Sequence, residues 1–200
     1  MSKPLFILAS KSPRRKELLN NIGINAQIIP SEVDESVIKD LSPEKMVTQL
    51  AMLKASDVAR SFGANTYVIG ADTSVCLDGE IFGKPENDAD ARRMLEKLSG
   101  NTHDVYTGYC VVDCTTHTAV SRYEKTRVSF RQLSAEEIDA YIDSREPMDK
   151  AGAYGIQKKG SMFVEKIEGD YFNVVGLPVC ALVKLLKDEF SIDVLKGTQK

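Results

Sequence analysis

Ser10-Lys11-Ser12-Pro13-Arg14-Arg15-Lys16 gathers two hydroxyls and four cationic side chains where a short apolar run, Leu5 to Ala9, gives way to helical spacing. Ser12 suits an N-cap and Pro13 a first helical residue, so the free backbone N–H groups of that turn face Ser10 and Ser12. A helix dipole disfavours cations at this end by about 0.3–1 kcal/mol each. Something negative would offset them. A phosphate group fits best, because it accepts from N–H, hydroxyl and guanidinium together. A basic, solvated first turn is the other reading of the same residues.

Four further groups carry chemistry. Gly70-Ala71-Asp72-Thr73 closes the apolar run Val68-Ile69, and in α/β sheets ligands lie beyond the carboxyl ends of strands. Asp72 there can orient or deprotonate water or hold a divalent metal, although an Asp that merely forms a turn reads the same way. Glu32, Asp34 and Glu35 make a compact acidic cluster. Lys54, flanked by Leu53 and Ala55, and Lys84, in Gly83-Lys84-Pro85, are phosphate partners, or in the case of Lys54 a chain snorkelling along a core edge. Finally, Glu146-Pro147-Met148-Asp149-Lys150-Ala151-Gly152-Ala153-Tyr154-Gly155-Ile156-Gln157 sets glycines among polar groups, as a ligand-shaped loop or an ordinary series of turns would. Gln157 offers a donor beside an acceptor, matching a uracil or thymine edge. An amide that flips also serves cytosine.

The elements that must position these groups alternate between strand and helix. Strands are expected at Phe6 to Ala9, Ala26 to Ile29, Tyr67 to Ile69, Val105 to Val112 and Ala119 to Phe130, with short ones around Phe163 and Val174. Asp78-Gly79 is a hairpin signal, since both residues tolerate positive φ. Helices are expected from Pro13 to Asn20, Ser42 to about Arg60, Asp88 to Leu98 with Gly100 as its cap, Ser134 to near Ser144 behind a Ser134/Glu137 capping box, and Val179 to Phe190. The class is mixed α/β.

Length and charge bound the rest. Two hundred residues fit one domain, residues 1–200, and a net charge of −3 argues against a broad basic face for nucleic acid. The opening apolar run is too short for a membrane span or a signal-peptide core, so a cytoplasmic chain with no membrane partner is expected. Cys76, Cys110, Cys114 and Cys180 lack framework spacing and are expected as reduced thiols. Cys110, Cys114 and His117 make only a partial zinc set. Catalytic triads, a Walker loop and a Rossmann fingerprint have no counterpart.

In combination, Leu8-Ala9-Ser10-x-Ser12-Pro13-Arg14-Arg15-x-Glu17-Leu18-Leu19, Gly70-Ala71-Asp72-Thr73, Gly83-Lys84-Pro85, Leu98-Ser99-Gly100 and the tract ending at Gln157 closely resemble the Maf family, in the family's order and over nearly the whole chain. The resemblance implies a nucleoside triphosphate pyrophosphatase, a hydrolase that releases a nucleoside monophosphate and pyrophosphate with a divalent cation, Mg²⁺ or Mn²⁺. It also implies an inosine-triphosphatase-like fold: an elongated mixed sheet with flanking helices and two lobes around a cleft. Asp72 corresponds to the proton acceptor, and Ser10, Arg15, Glu32, Lys54 and Lys84 to the polar lining, with Glu32 a candidate metal ligand. Arg14, Thr73 and Gln157 occupy the specificity positions and look like the branch acting on dTTP and UTP. The branch acting on 7-methylguanosine triphosphate typically has an aromatic residue at the first and Gln at the second. Lys158-Lys159 departs from the pattern, adding charge where a glycine-containing sequence is common. A homodimer is expected from the family. The rivals are a house-cleaning enzyme for modified nucleotides and a nucleotide-binding regulator of cell division or septum formation.

Overall fold

The computed structural model describes residues 3–38 and 40–196. Its elements run β1 (Leu5–Leu8), α1 (Pro13–Asn21), β2 (Gln27–Ile28), α2 (Pro43–Ala59), β3 (Thr66–Leu77), β4 (Glu80–Phe82), α3 (Asp88–Leu98), β5 (Thr102–Asp113), β6 (Thr118–Phe130), α4 (Ala135–Asp143), β7 (Val164–Glu168), α5 (Tyr171–Val175) and α6 (Val179–Phe190). Among the described residues the strands form one seven-stranded mixed sheet, ordered β2-β1-β3-β5-β6-β7 with β4 paired to β3. β1 lies parallel to both β2 and β3, with Leu5 opposite Thr66 and Leu8 opposite Ile69. The β3–β4 and β6–β7 pairs are antiparallel. No helix among the described residues is long and apolar enough to cross a membrane.

The chain divides into two compact units. The first comprises residues up to Asp72, Thr107–Glu124 and residues from Gly176 onward. Its core sets Ile7, Ala9 and Val68 against Ala51, Ala55 and Val58 of α2, with Cys110, Val112 and Cys114 beside them. Two glycines let α2 lie unusually close to the strands. A Cβ at Gly70 would stand 2.3 Å from the Ala51 carbonyl oxygen, and one at Gly108 would stand 2.1 Å from that of Val47. Burial pushes the Cys110 thiol up to about 12, so it behaves as a protonated core residue.

The second unit comprises Thr73–Tyr106 and Lys125–Val175. Its helices α3 and α4 pack together; the first buries Ala91, Met94, Leu95 and Leu98 and the second Ile138, Tyr141 and Ile142. His103, Phe130, Tyr154 and Phe163 add a cluster of edge-to-face rings, with the Phe130 and Tyr154 centroids 4.7 Å apart. The Asp78-Gly79 hairpin and the Ser134/Glu137 capping box occur as expected from the sequence.

Two expectations are corrected. Asp72 does not lie beyond a strand end, because β3 continues through Gly70 to Leu77. Gly70 is there to admit α2, not to stop the strand. The short strand expected around Val174 is instead α5. Gly169 and Gly176 turn the chain at either side with φ of 128° and 124°, and the Asp170 carboxylate accepts from the Phe172 N–H. The buried Asn173 side chain of α5 donates to the Val105 carbonyl and to Thr126 Oγ1, fixing the turn against the strands. A short apolar run has no period long enough to separate the two outcomes.

Candidate active site

Alternation along β3 puts Gly70 and Asp72 on one face. Because α2 sits against Gly70, the residue one position before Ala55 is carried to Asp72: Lys54 Nζ donates to Asp72 Oδ1 at 2.6 Å. Lys54 is buried, which answers the question its apolar neighbours raise in the sequence. Its head is not snorkelling to water. It is held between two carboxylates, the second being Glu35 Oε1 at 2.8 Å. Glu35 begins a single 3₁₀ turn, Glu35–Val37, that Asp34 caps by accepting from the Ser36 N–H at 2.9 Å. The carboxylates of Asp34 and Glu35 are thereby put to different uses.

A second knot ties the start of α1 to the same strand. Arg15 donates from its Nη1 to the Ala71 carbonyl at 2.9 Å and to Ser10 Oγ at 3.1 Å, and from Nε to the Gly176 carbonyl at 2.7 Å. Ser10 Oγ also accepts from the Ser12 N–H, and Ser12 caps α1 by accepting from the Arg15 N–H. Burial pulls the Arg15 guanidinium below its ordinary range, and Asp72 acts in the opposite direction. Arg15 thus braces β3 at Ala71, one residue from Asp72, while Arg14, half-buried, lies in the first turn of the same helix.

The first unit therefore brings together Ser10, Arg15, Lys54 and Asp72 and adds Glu35. Glu32 is exposed, and its backbone N–H donates to Asp57 Oδ2 at 3.3 Å; its carboxylate takes no part in the Lys54 ion pairs. Glu35 was only one member of an acidic cluster in the sequence. The Asp34-x-Ser36 turn signal was the local cue that could have separated it from its neighbours. Asp72 and Glu35 supply hard oxygen donors converging on one cation. No group of three or more His, Cys, Asp or Glu among the described residues is placed to hold a metal. A pair of carboxylates still fits Mg²⁺, which commonly takes one or two and completes its shell with phosphate and water.

Thr73, Lys84 and Gln157 belong to the second unit. Thr73 is half-buried in β3, while Lys84 is exposed just after β4. Beside Lys84, the Gly83 carbonyl accepts from the Gly152 N–H at 3.0 Å, tying the glycine-rich tract to the hairpin. Gly152 has φ of 67°, and a Cβ there would press on Val75. Gln157 lies on an exposed turn between the 3₁₀ turns Ala151–Ala153 and Lys159–Phe163.

Comparison with known proteins defines the fold and the family. The fold is that of a Ham1 protein from Coxiella burnetii, matched with a TM-score of 0.51 over 92% of this chain and 99% of that one at 16% identity. The family description "Maf-like protein" matches residues 5–189, and the chain belongs to the Maf family. Proteins named dTTP/UTP pyrophosphatase from Bacillus cereus and Bacillus anthracis are each 53% identical over 189 residues, covering 94% of this chain and 97% of theirs.

Proposed function

We propose that this protein hydrolyses dTTP and UTP to the nucleoside monophosphate and pyrophosphate. The observation that carries the reading is the Asp72 carboxylate, 14% exposed and fixed through Oδ1 by the buried Lys54 ammonium. The names of its Bacillus relatives support the choice of base.

With Oδ1 occupied by Lys54, Oδ2 is the oxygen that meets a water molecule. Asp72 aligns that water and takes its proton as the oxygen attacks the α-phosphorus. The bond to the bridging oxygen breaks, and pyrophosphate leaves with the electron pair. A carboxylate is a weak base, so orientation contributes more than proton affinity. The first turn of α1, with Ser10, Arg14 and Arg15 around it, together with Lys54 and Lys84, opposes the charge of the triphosphate. Arg14, Thr73 and Gln157 select the base. A divalent cation, Mg²⁺ or Mn²⁺, would be held on Glu35, with Glu32 as a candidate further ligand, and would neutralise phosphate charge while leaving Asp72 Oδ2 to the water. The same reading carries a cytoplasmic setting and a homodimer.

The test is a panel of nucleoside triphosphates with and without divalent metal, the products separated into pyrophosphate and single phosphates. Pyrophosphate from dTTP and UTP, lost on chelation, is expected. Asp72→Asn should lower turnover by about a thousandfold while still binding nucleotide. Wild-type turnover in that variant would falsify the assignment, and stepwise phosphate release would remove the reaction class.

A further inference from the structure

Gln157 sits on an exposed turn, an unpromising place from which to discriminate one base from another. What holds that turn is a side-chain pair, Tyr141 of α4 and Glu146 just beyond that helix. Entering the turn, the Gly155 N–H donates to Tyr141 Oη at 3.1 Å, and Tyr141 Oη donates in turn to Glu146 Oε1, also at 3.1 Å. Leaving it, the Lys159 N–H donates to Glu146 Oε2 at 3.3 Å and the Gly160 N–H to Glu146 Oε1 at 3.4 Å. Both ends of the segment 155–160 are therefore fastened to Tyr141 and Glu146.

Each partner is itself immobilised. Tyr141 is 3% exposed and packs its ring edge-on against Phe163, with centroids 4.8 Å apart. Burial, more than the nearby Glu146, pushes its hydroxyl pKa upward, so it stays a donor. Lys150 Nζ donates to the Glu146 carbonyl at 2.5 Å, and its chain lies where a Cβ on Gly155 would fall. Gly160 closes the loop: a Cβ there would stand 2.5 Å from the Gly155 oxygen and 2.9 Å from Tyr141 Oη. One hydroxyl and one carboxylate thus satisfy three backbone N–H groups that a tight turn would otherwise leave to water.

We propose that Tyr141 and Glu146 are positioning residues for base selection: they hold the segment 155–160 so that the Gln157 amide meets the pyrimidine edge in one orientation. This rests on the reading that Gln157 selects the base. An amide presents a donor and an acceptor with little intrinsic preference, so its selectivity depends on how firmly its backbone is held. A loop displaced by about 1 Å is enough to cost up to about a hundredfold in such a contact.

The experiment compares kcat and KM for dTTP and dCTP in the full-length protein and in Tyr141→Phe, Glu146→Ala, Glu146→Gln and Gln157→Ala. Tyr141→Phe keeps the packed ring and removes only the hydroxyl, so it serves should Glu146→Ala fail to fold. The preference for dTTP over dCTP should fall about tenfold in Tyr141→Phe and Glu146→Ala, through KM, with kcat for dTTP within about threefold of wild type. Glu146→Gln, which keeps one acceptor oxygen, should recover part of the loss. Adding Glu146→Ala to Gln157→Ala should reduce the preference no further than Gln157→Ala alone. If Gln157→Ala loses the preference but Tyr141→Phe and Glu146→Ala keep it, the positioning role is wrong and the reading of Gln157 stands. If Gln157→Ala itself keeps the preference, both fail. An equal fall in kcat for both nucleotides also overturns the proposal.

Discussion

The surroundings of Asp72 in the first unit and those of Gln157 in the second solve the same problem with different means. Asp72 lies inside a strand, Lys54 inside a helix, and opposite charges hold them together at 2.6 Å. Gln157 lies on a turn, and the holding bonds run from backbone N–H groups to Tyr141 and Glu146. A group that must accept a proton gains from rigid elements and a fixed charge partner. A group that must read an outline needs only its backbone held. The first arrangement should therefore break when a charge or a backbone contact is removed, and the second should yield in smaller steps.

Lys54→Met tests the charged arrangement most severely. It removes the cation between Asp72 and Glu35 and leaves the Asp72 carboxylate, 14% exposed, without its partner. Breaking a buried pair from one side costs about 3–5 kcal/mol, and the 58% exposure of Glu35 favours the lower end. Turnover should fall about a hundredfold or more beside that loss. Wild-type kcat with an unchanged melting temperature would show that Asp72 does not depend on Lys54, and the contrast with the second unit would collapse.

A pair of glycine substitutions sharpens the contrast. In Gly70→Ala the new methyl meets the Ala51 carbonyl at 2.3 Å, a backbone atom that moves only if α2 lifts from β3 and takes Lys54 with it. Overpacking of that kind costs about 3 kcal/mol. In Gly155→Ala the nearest atom is Lys150 Cε at 2.6 Å, the far end of a flexible side chain. The cost there should be nearer 1 kcal/mol. Denaturant midpoints at constant slope measure both. Equal losses would mean that the loop is as unyielding as the strand.

What the sequence disclosed follows the same division. Elements announced by local chemistry were legible: the Asp78-Gly79 hairpin, α3 from Asp88 to Leu98, the Ser134/Glu137 capping box, and α6 from Val179 to Phe190. Serine, proline and arginine at the start of α1 read correctly as a capped helix. Contacts made at long range left no local trace. Nothing near Arg15 announces a bond to the carbonyl of Gly176, and nothing near Gly155 announces Tyr141. Gly70 misled because a glycine that admits a helix looks in sequence like one that ends a strand. Glu35 was half-legible: the Asp34-x-Ser36 signal marks the turn, but its ion pair with Lys54 is made at long range.

An effect smaller than those at Lys54 and Gly70 concerns a group in the second unit that carries no charge at neutral pH. His103 is 1% exposed, its Nε2 lies 2.8 Å from Tyr154 Oη, and its Nδ1 has no hydrogen-bond partner among the described residues. Burial pulls its pKa down to about 4, against which Asp104 pulls weakly upward. The unfolded chain titrates this side chain near 6.5, so between pH 6.5 and 4 the unfolded state binds more protons than the folded one. The stabilisation is full above pH 6.5 and is lost as pH falls towards 4. Between pH 8 and pH 5 that amounts to roughly 2 kcal/mol. Urea unfolding at the two pH values should show this decrement in the wild type and lose most of it in His103→Gln, which cannot titrate. Because the Tyr154 that His103 meets directly precedes Gly155, and folded His103 gains its proton only near pH 4, base preference should hold at pH 5 and weaken towards pH 4, once the pH dependence of substrate ionisation is subtracted. A preference unchanged at pH 4 would mean that the neutral contact between His103 and Tyr154 gives the loop no support, and that the bonds to Tyr141 and Glu146 hold it alone.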